Sequence, residues 1–293
     1  MFIADGWKDF RVLDAGGGMK LERWKNVTLL RPDPQAVWPM EEHKADAVYL
    51  RSETGGGHWE TQRTLPESWK VQYRDLTFLV RPTGFKHTGL FPEQAVNWDW
   101  MRGELENWKK NHTGVPKVLN LFAYTGGATV ACAASGADVV HVDAAKGMVA
   151  WAKDNAAESG LGSAAIRYMV DDCVKFVKRE IRRGSKYDGI VMDPPSYGRG
   201  PTGELWKIEN DLYPLIADCA ELLSDEPAFF LVNSYTTGLA ASVLTNVLRV
   251  ALPEGSVVSD EVSLPIERDH LTLPCGASGR WTPKKKFARS YVE

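Results

Sequence analysis

YDGIVMDPPSYGRG, residues Tyr187–Gly200, joins an apolar run to an acid, two prolines, an aromatic ring and glycines. The run GIVM has the length and character of a buried strand, which would ordinarily pass into a helix. Here Pro194 and Pro195 fix φ and remove two backbone donors, so the chain leaves the strand as a rigid turn with its carbonyls free. Asp193 then stands at the strand's carboxyl end, the place where open α/β sheets bind ligands. That reading requires a parallel sheet, and the flanking sequence must supply strands that alternate with helices.

It does so from Lys117 onward. KVLNLFA (Lys117–Ala123), DVVHVDA (Asp138–Ala144), AIRYMVDD (Ala165–Asp172), YDGIVM and AFFLVNSY (Ala228–Tyr235) are apolar runs. Between them lie the helical patterns ATVACAAS, Lys146–Ser159, CVKFVKREIRR and Leu205–Leu223. A helix over Leu239–Leu252 precedes two last strands, Val257–Pro265 and a segment near Arg280–Trp281. Strands alternating with helices imply right-handed crossovers and a doubly wound, mostly parallel, Rossmann-like α/β sheet covered on both faces. Residues 1–85 read differently. Short runs such as VTLLR (Val27–Arg31) and VQYRDLTFLV (Val71–Val80) are separated by turns at Gly16–Gly18, Arg31–Pro34 and Gly55–Gly57, which predicts a small all-β domain. Residues 86–116 form a connector holding GLFPEQ (Gly89–Gln94) and a helix around Trp98–Lys110, and residues 117–293 form the α/β domain.

Composition narrows the class. With 44% hydrophobic and 25% charged residues over 293 positions, the chain can bury a sizeable core. A net charge of -3 gives no general attraction for nucleic acid, so a nucleic-acid substrate would need a local basic patch. Candidates are Lys20, Arg23, Lys25 and Arg31, and the run Lys284–Lys286, each of which also reads as solvated surface. The four cysteines, Cys132, Cys173, Cys219 and Cys275, lack metal-site spacing, which predicts reduced thiols and no metal. No apolar run reaches membrane-spanning length and no signal-peptide pattern opens the chain, so the expectation is a cytoplasmic protein without membrane contact. The sequence carries no signal for an oligomeric state.

The polar residues gather at the strand ends. The turn Thr125-Gly126-Gly127 follows the first strand of the α/β domain and lets the backbone approach a ligand, or simply turns tightly into a helix. It is not the GxGxxG of dinucleotide enzymes. Asp143 lies 17 residues beyond Gly126, close to the spacing at which an acid meets a ribose diol, and it also reads as a helix cap. Asp171 and Asp172 could meet an adenine amine or cap the next helix. Together these ends describe a pocket for an adenosine-bearing ligand. At DPPSYG, Asp193 can accept a hydrogen bond from a planar amine, and Tyr197 offers a face on which a base can stack.

That stretch resembles the acid-Pro-Pro-aromatic motif of adenosylmethionine-dependent methyltransferases acting on amine nitrogens, with Ser196 intervening before the ring. LNLFAYTGG, Asp143, Asp171–Asp172 and YDGIVMDPPSYGRG, in that order, are similar to the bacterial class I methyltransferases of 23S ribosomal RNA. KLERW (Lys20–Trp24), RPDPQAVW (Arg31–Trp38) and GLFPEQ resemble a branch of that family with a small N-terminal β domain. The resemblance implies a seven-stranded sheet, S-adenosylmethionine as methyl donor and an RNA substrate, with a role in rRNA processing on the 23S molecule. It implies that Phe91 and Gln94 close over the cofactor, with Ala123, Tyr124 and Gly126 beneath its methionine part. Asp143 would hold the ribose, and Asp172 with Cys173 the adenine. Asp193, with the Pro194 carbonyl, and Tyr197 would face the acceptor, Asp193 also bordering the cofactor.

One departure bears on the chemistry. Relatives that make 5-methylcytosine use a cysteine nucleophile near the end of the fifth strand or directly after DPP. Here those positions read NSYT (Asn233–Thr236) and Ser196, so nitrogen is the expected acceptor and in-line transfer the expected route. A methyltransferase for a small molecule or protein is the alternative, and a non-catalytic adenosine-ligand binder a further one.

Overall fold

The computed structural model describes residues 1–52, 56–199, 205–268 and 270–284. Gly55 and Gly200 of the quoted turns, and Lys285 and Lys286 of the basic run, lie outside them. A two-residue strand, β1 (Phe2–Ile3), precedes the small sheet formed by β2 (Phe10–Gly16), β3 (Met19–Trp24), β4 (Val27–Pro32), β5 (Ala47–Arg51) and β6 (Gly57–Thr61). These five pair in chain order, antiparallel except where β5 joins β4. The run Val71–Val80 proves to be a hairpin of its own, β7 (Trp69–Tyr73) and β8 (Leu76–Val80), whose alternate residues Trp69, Val71, Tyr73, Leu76, Phe78 and Val80 are buried.

A 3-10 turn (Pro92–Gln94) leads into α1 (Ala95–Asn111), β9 (Lys117–Leu121) and α2 (Gly127–Ala134). Then follow β10 (Asp138–Asp143), α3 (Lys146–Glu158), β11 (Ile166–Val170), α4 (Cys173–Arg183) and β12 (Gly189–Met192). The segment expected to open a helix at Leu205 instead pairs with the loop after DPP: β13 (Tyr197–Arg199) and β14 (Leu205–Lys207) form a small hairpin, and α5 (Ile208–Ala220) starts after it. The chain ends in β15 (Phe229–Ser234), α6 (Ala241–Ala251), β16 (Gly255–Pro265) and β17 (Thr272–Pro283).

The large sheet runs β1-β16-β17-β15-β12-β9-β10-β11, eight strands where seven were expected. The extra strand is β1, which adds Phe2 and Ile3 in parallel beside Val262 and Ser263. β9, β10, β11, β12 and β15 are mutually parallel, and β17 runs against both its neighbours. Successive residues of a strand face opposite sides, so Val118 joins one buried cluster and Leu119 another. The first cluster continues through Trp98 and Leu105 of α1 into Phe10, Trp24 and Leu29 of the small sheet. The second holds Ile190 and Phe230 against Leu212 of α5 and Leu248 of α6. Strand order reverses between β9 and β12, which opens a crevice at their carboxyl ends.

Candidate active site

A cavity open to solvent occupies that crevice, lined by Leu90, Phe91, Gln94, Asn120, Phe122, Ala123, Tyr124, Thr125, Asp193 and Asn233 among others. The glycine turn shapes its floor. Gly126 has φ +83°, and a Cβ there would stand 2.8 Å from the Ala152 methyl. Phe122 and Tyr124 also adopt left-handed backbone, at φ 53° and 52°, conformations that cost non-glycine residues on the order of 1 kcal/mol and are held only by specific bonds. Asp143 supplies such a bond: one carboxylate oxygen accepts the Tyr124 N–H at 2.8 Å, the other the Ala145 N–H at 2.8 Å. Each oxygen keeps a lone pair, so the loop-fixing role is compatible with binding a diol.

Phe91, Gln94, Ala123, Tyr124 and Asp193 therefore meet in one cavity. Asp143, Asp172, Gly126, Pro194 and Tyr197 stand around it rather than in its wall. Asp172 caps α4, accepting the Lys175 N–H at 2.9 Å. The Cys173 thiol is turned inward: buried, it accepts the Phe122 N–H at 3.2 Å, so any contact from Cys173 to an adenine must come from its main chain. Tyr197 is half exposed on β13. The hairpin carrying it is pinned over the crevice by Trp206, whose indole N–H reaches the Pro195 carbonyl at 2.6 Å and whose ring lies 5.5 Å from Phe122. Ser196 and Thr236 hydroxyls meet at 2.6 Å on the other side.

The connector contributes more than its two expected residues. Glu93 is buried in the 3-10 turn, and its carboxyl is pushed up by burial. Burial, and then the charge of Glu93, raise the Asp193 carboxyl to about 7. The Tyr235 hydroxyl accepts the Gln94 amide N–H at 2.7 Å, and its ring lies 5.3 Å from Phe91. Gln94 is itself held by Asn97, which donates to its carbonyl at 2.8 Å and is anchored by the Arg280 guanidinium at 2.7 and 3.0 Å. Glu93 was legible as an acid inside an apolar segment. Tyr235 lies in NSYT, at the end of β15, where its ring reads as a strand residue in sequence.

Two expected phosphate-binding residues are committed elsewhere. Arg31 grips the fully buried Glu22 with two bonds, at 2.7 and 2.9 Å, and Lys20 lies 3.1 Å from Asp33 and 3.5 Å from Glu22. A buried carboxylate needs that compensation, so neither cation is available to RNA. Lys25 is exposed and Arg23 partly so.

The residue set fits S-adenosylmethionine. The Gly127 and Ala128 end of α2 opens on the cavity beside acceptor groups from Asn120, Asp193 and Asn233, with Phe91 and Tyr124 rings 5.4 Å apart at its mouth. Residues 49–229 match the family model described as S-adenosylmethionine-dependent methyltransferase. A SAM-dependent methyltransferase from Agrobacterium tumefaciens is 35% identical and superposes with a TM-score of 0.90, over 97% of this chain and 93% of that one. A SAM-dependent methyltransferase from Streptococcus mutans shares the fold at 20% identity and a TM-score of 0.72, over 95% of this chain and 76% of its own. The ribosomal RNA large subunit methyltransferase K/L of Shewanella frigidimarina is 31% identical over 159 residues, 54% of this chain. This chain spans only about a fifth of that relative's length, 21%. Among the described residues no helix is long and apolar enough to cross a membrane.

Proposed function

The chain belongs to the S-adenosylmethionine-dependent methyltransferase family, and from that premise we propose that it methylates a nitrogen of a nucleotide in 23S ribosomal RNA. The observation that carries this reading is Asp193 beside the cavity, on a proline-fixed turn that also presents Tyr197, with no thiolate near either. Cys132, Cys173 and Cys219 are buried in helices, and burial holds their thiols protonated. Bound adenosylmethionine supplies an electrophilic sulfonium methyl. The protein's share is to aim an amine lone pair at it. Asp193, as carboxylate, accepts one amine hydrogen and offsets the charge that grows on nitrogen as the N–C bond forms and the S–C bond breaks. The proton then leaves the methylated nitrogen to solvent or to Asp193.

In the same reading Phe91, Gln94, Ala123, Tyr124 and Gly126 hold the methionine part, Asp143 the ribose, and Asp172 with the Cys173 main chain the adenine. Residues 1–85 serve the substrate, 86–116 connect, and 117–293 catalyse. The names of the large-subunit relatives support an RNA acceptor and hence a cytoplasmic setting. Transfer of labelled methyl to extracted RNA, protein and small-molecule fractions tests the reading, followed by nucleoside analysis of the labelled RNA. Label in an N-methylated nucleoside is expected; label confined to protein or metabolites overturns it.

A further inference from the structure

With Lys20 and Arg31 occupied by Glu22 and Asp33, other groups must hold the phosphates of an RNA acceptor. The loop from Arg81 to Gly89 is built for presentation. The Trp59 indole N–H reaches the carbonyls of Thr83 at 2.9 Å and Phe85 at 3.3 Å. Arg31 donates to the Lys86 carbonyl at 3.0 Å, and the Thr83 hydroxyl to that of His87 at 2.8 Å. The Arg81 N–H closes the base on the Thr88 carbonyl at 3.0 Å. With its carbonyls tied inward, the loop leaves Arg81 and Phe85 exposed while Thr88 is buried. Phe85 is 67% exposed, more than Tyr197 or Tyr213, although it sits on a fixed backbone.

The charge beside it is unbalanced. The Lys86 ammonium reaches only the Pro32 carbonyl, at 3.5 Å, and among the described residues it has no carboxylate partner. Burial first, and then Lys20, Arg31 and Arg51, hold its pKa below the ordinary value, against one opposing carboxylate, Asp33. Arg51, exposed at the end of β5, is likewise without a carboxylate partner among the described residues. In a chain of net charge -3, this is a local excess of positive charge. It also adjoins the cavity: the His87 ring lies 5.5 Å from Phe91, which lines it.

A bare ring next to unneutralised cations is the chemistry that takes a single-stranded nucleotide, base on ring and phosphate on cation. Resting on the RNA reading above, we propose that Phe85, Lys86 and Arg51 form a subsite for the nucleotide flanking the acceptor, Phe85 stacking its base and the two cations holding its phosphate. The three side chains are at or near the surface, so their variants should fold.

The test is fluorescence anisotropy of the full chain with a fluorescein-labelled single-stranded RNA of mixed sequence, over a series of KCl concentrations. Phe85→Ala should weaken binding roughly fivefold to a hundredfold, and Phe85→Trp should restore it. The Arg51→Ala/Lys86→Ala double variant should lower the slope of log affinity against log salt by about 0.7, the value for one phosphate no longer neutralised. Adenosylmethionine affinity should stay unchanged in each, and methyl transfer to extracted ribosomal RNA should lose KM before kcat. Variants that bind RNA with wild-type affinity and slope overturn the subsite while RNA methylation by the wild type stands. If the wild-type protein binds no RNA and labels only protein or metabolites, the RNA reading itself fails, and the subsite with it.

Discussion

Asp193, just beyond the large sheet's β12, and Glu22 in the small sheet are both carboxyl groups drawn away from water, and their neighbours differ in kind. Glu22 meets Arg31 twice, Lys20 and the Trp24 indole N–H, and these hold its carboxyl below the ordinary range despite burial. Among the described residues Asp193 meets no cation; its charged neighbour is another acid, Glu93, and its carboxyl rises to about 7. A paired carboxylate is spent on holding strands together. An unpaired one, costly to keep, is open to a substrate that brings the missing donor or positive charge. Substitution should therefore cost stability in one region and chemistry in the other.

The largest effect is expected at Glu22→Ala, which leaves Arg31 buried without its carboxylate partner and Lys20 with Asp33 alone. A loss of about 3–5 kcal/mol is the usual consequence, read as a fall in the urea midpoint. A loss under about 1 kcal/mol would mean that the small sheet does not depend on this pair. The pH signs also oppose. The folded Glu22 carboxyl titrates below its ordinary 4.5, so its stabilisation is present above that value and is lost as pH falls through the folded pKa. The folded Asp193 carboxyl keeps its proton up to about pH 7, while the unfolded chain releases it near 3.8. Its contribution to stability is thus lost as pH rises between those values, and Asp193→Asn should abolish that decline.

Next in size is Asp193→Ala. It should lower single-turnover transfer on the order of a hundredfold while leaving adenosylmethionine affinity within about twofold, because the lost interaction strengthens only as nitrogen gains charge. In the wild type kcat/KM should rise with pH about an apparent pKa near 7, as the accepting carboxylate forms. A stable variant with normal turnover and an unchanged profile would erase the contrast with Glu22. Asp143→Ala comes third. Losing an acceptor for the Tyr124 and Ala145 N–H groups as well as for the ribose should cost about 1–3 kcal/mol of cofactor affinity by calorimetry. Unchanged affinity would leave Asp143 as a loop tie alone.

The same contrast explains what could be read from the sequence. In a parallel sheet the position along the chain fixes the place: Asp143 and Asp193 follow apolar runs, so both had to stand at carboxyl ends. Alternation in an antiparallel sheet says that Lys20, Glu22 and Trp24 share a face, but not what covers that face. The cover comes from the connector, 55 positions away in sequence from Arg31 to Lys86, and nothing local announces it. The short pairing of Tyr197 with Lys207 was hidden for a related reason, since Leu205–Lys207 carries no turn signal to separate it from the helix that follows. Phe2 and Ile3 are too few to show any period.

The smallest effect is expected where the two regions meet. Cys275, on β17, is the one thiol among the described residues that feels both Glu93 of the connector and Lys20 of the small sheet. If the acceptor were a ring carbon, a thiolate would have to add to the base before methyl transfer, and Cys275 is the one cysteine of the described residues that is not fully buried. Its surroundings oppose that role. Burial, and then the Glu93 charge, hold the thiol pKa well above its ordinary value, outweighing Lys20, and the S–H points to the Leu273 carbonyl at 3.4 Å. A reactive cysteine needs the reverse, a depressed pKa in electropositive surroundings. Cys275→Ala should therefore change single-turnover transfer by less than about threefold, and RNA carrying 5-fluorocytosine should form no covalent complex with the wild type. A trapped complex that disappears in Cys275→Ala would move the acceptor from nitrogen to carbon, and Asp193 would then have to be reread as a group that orients the ring rather than one that receives charge from an amine.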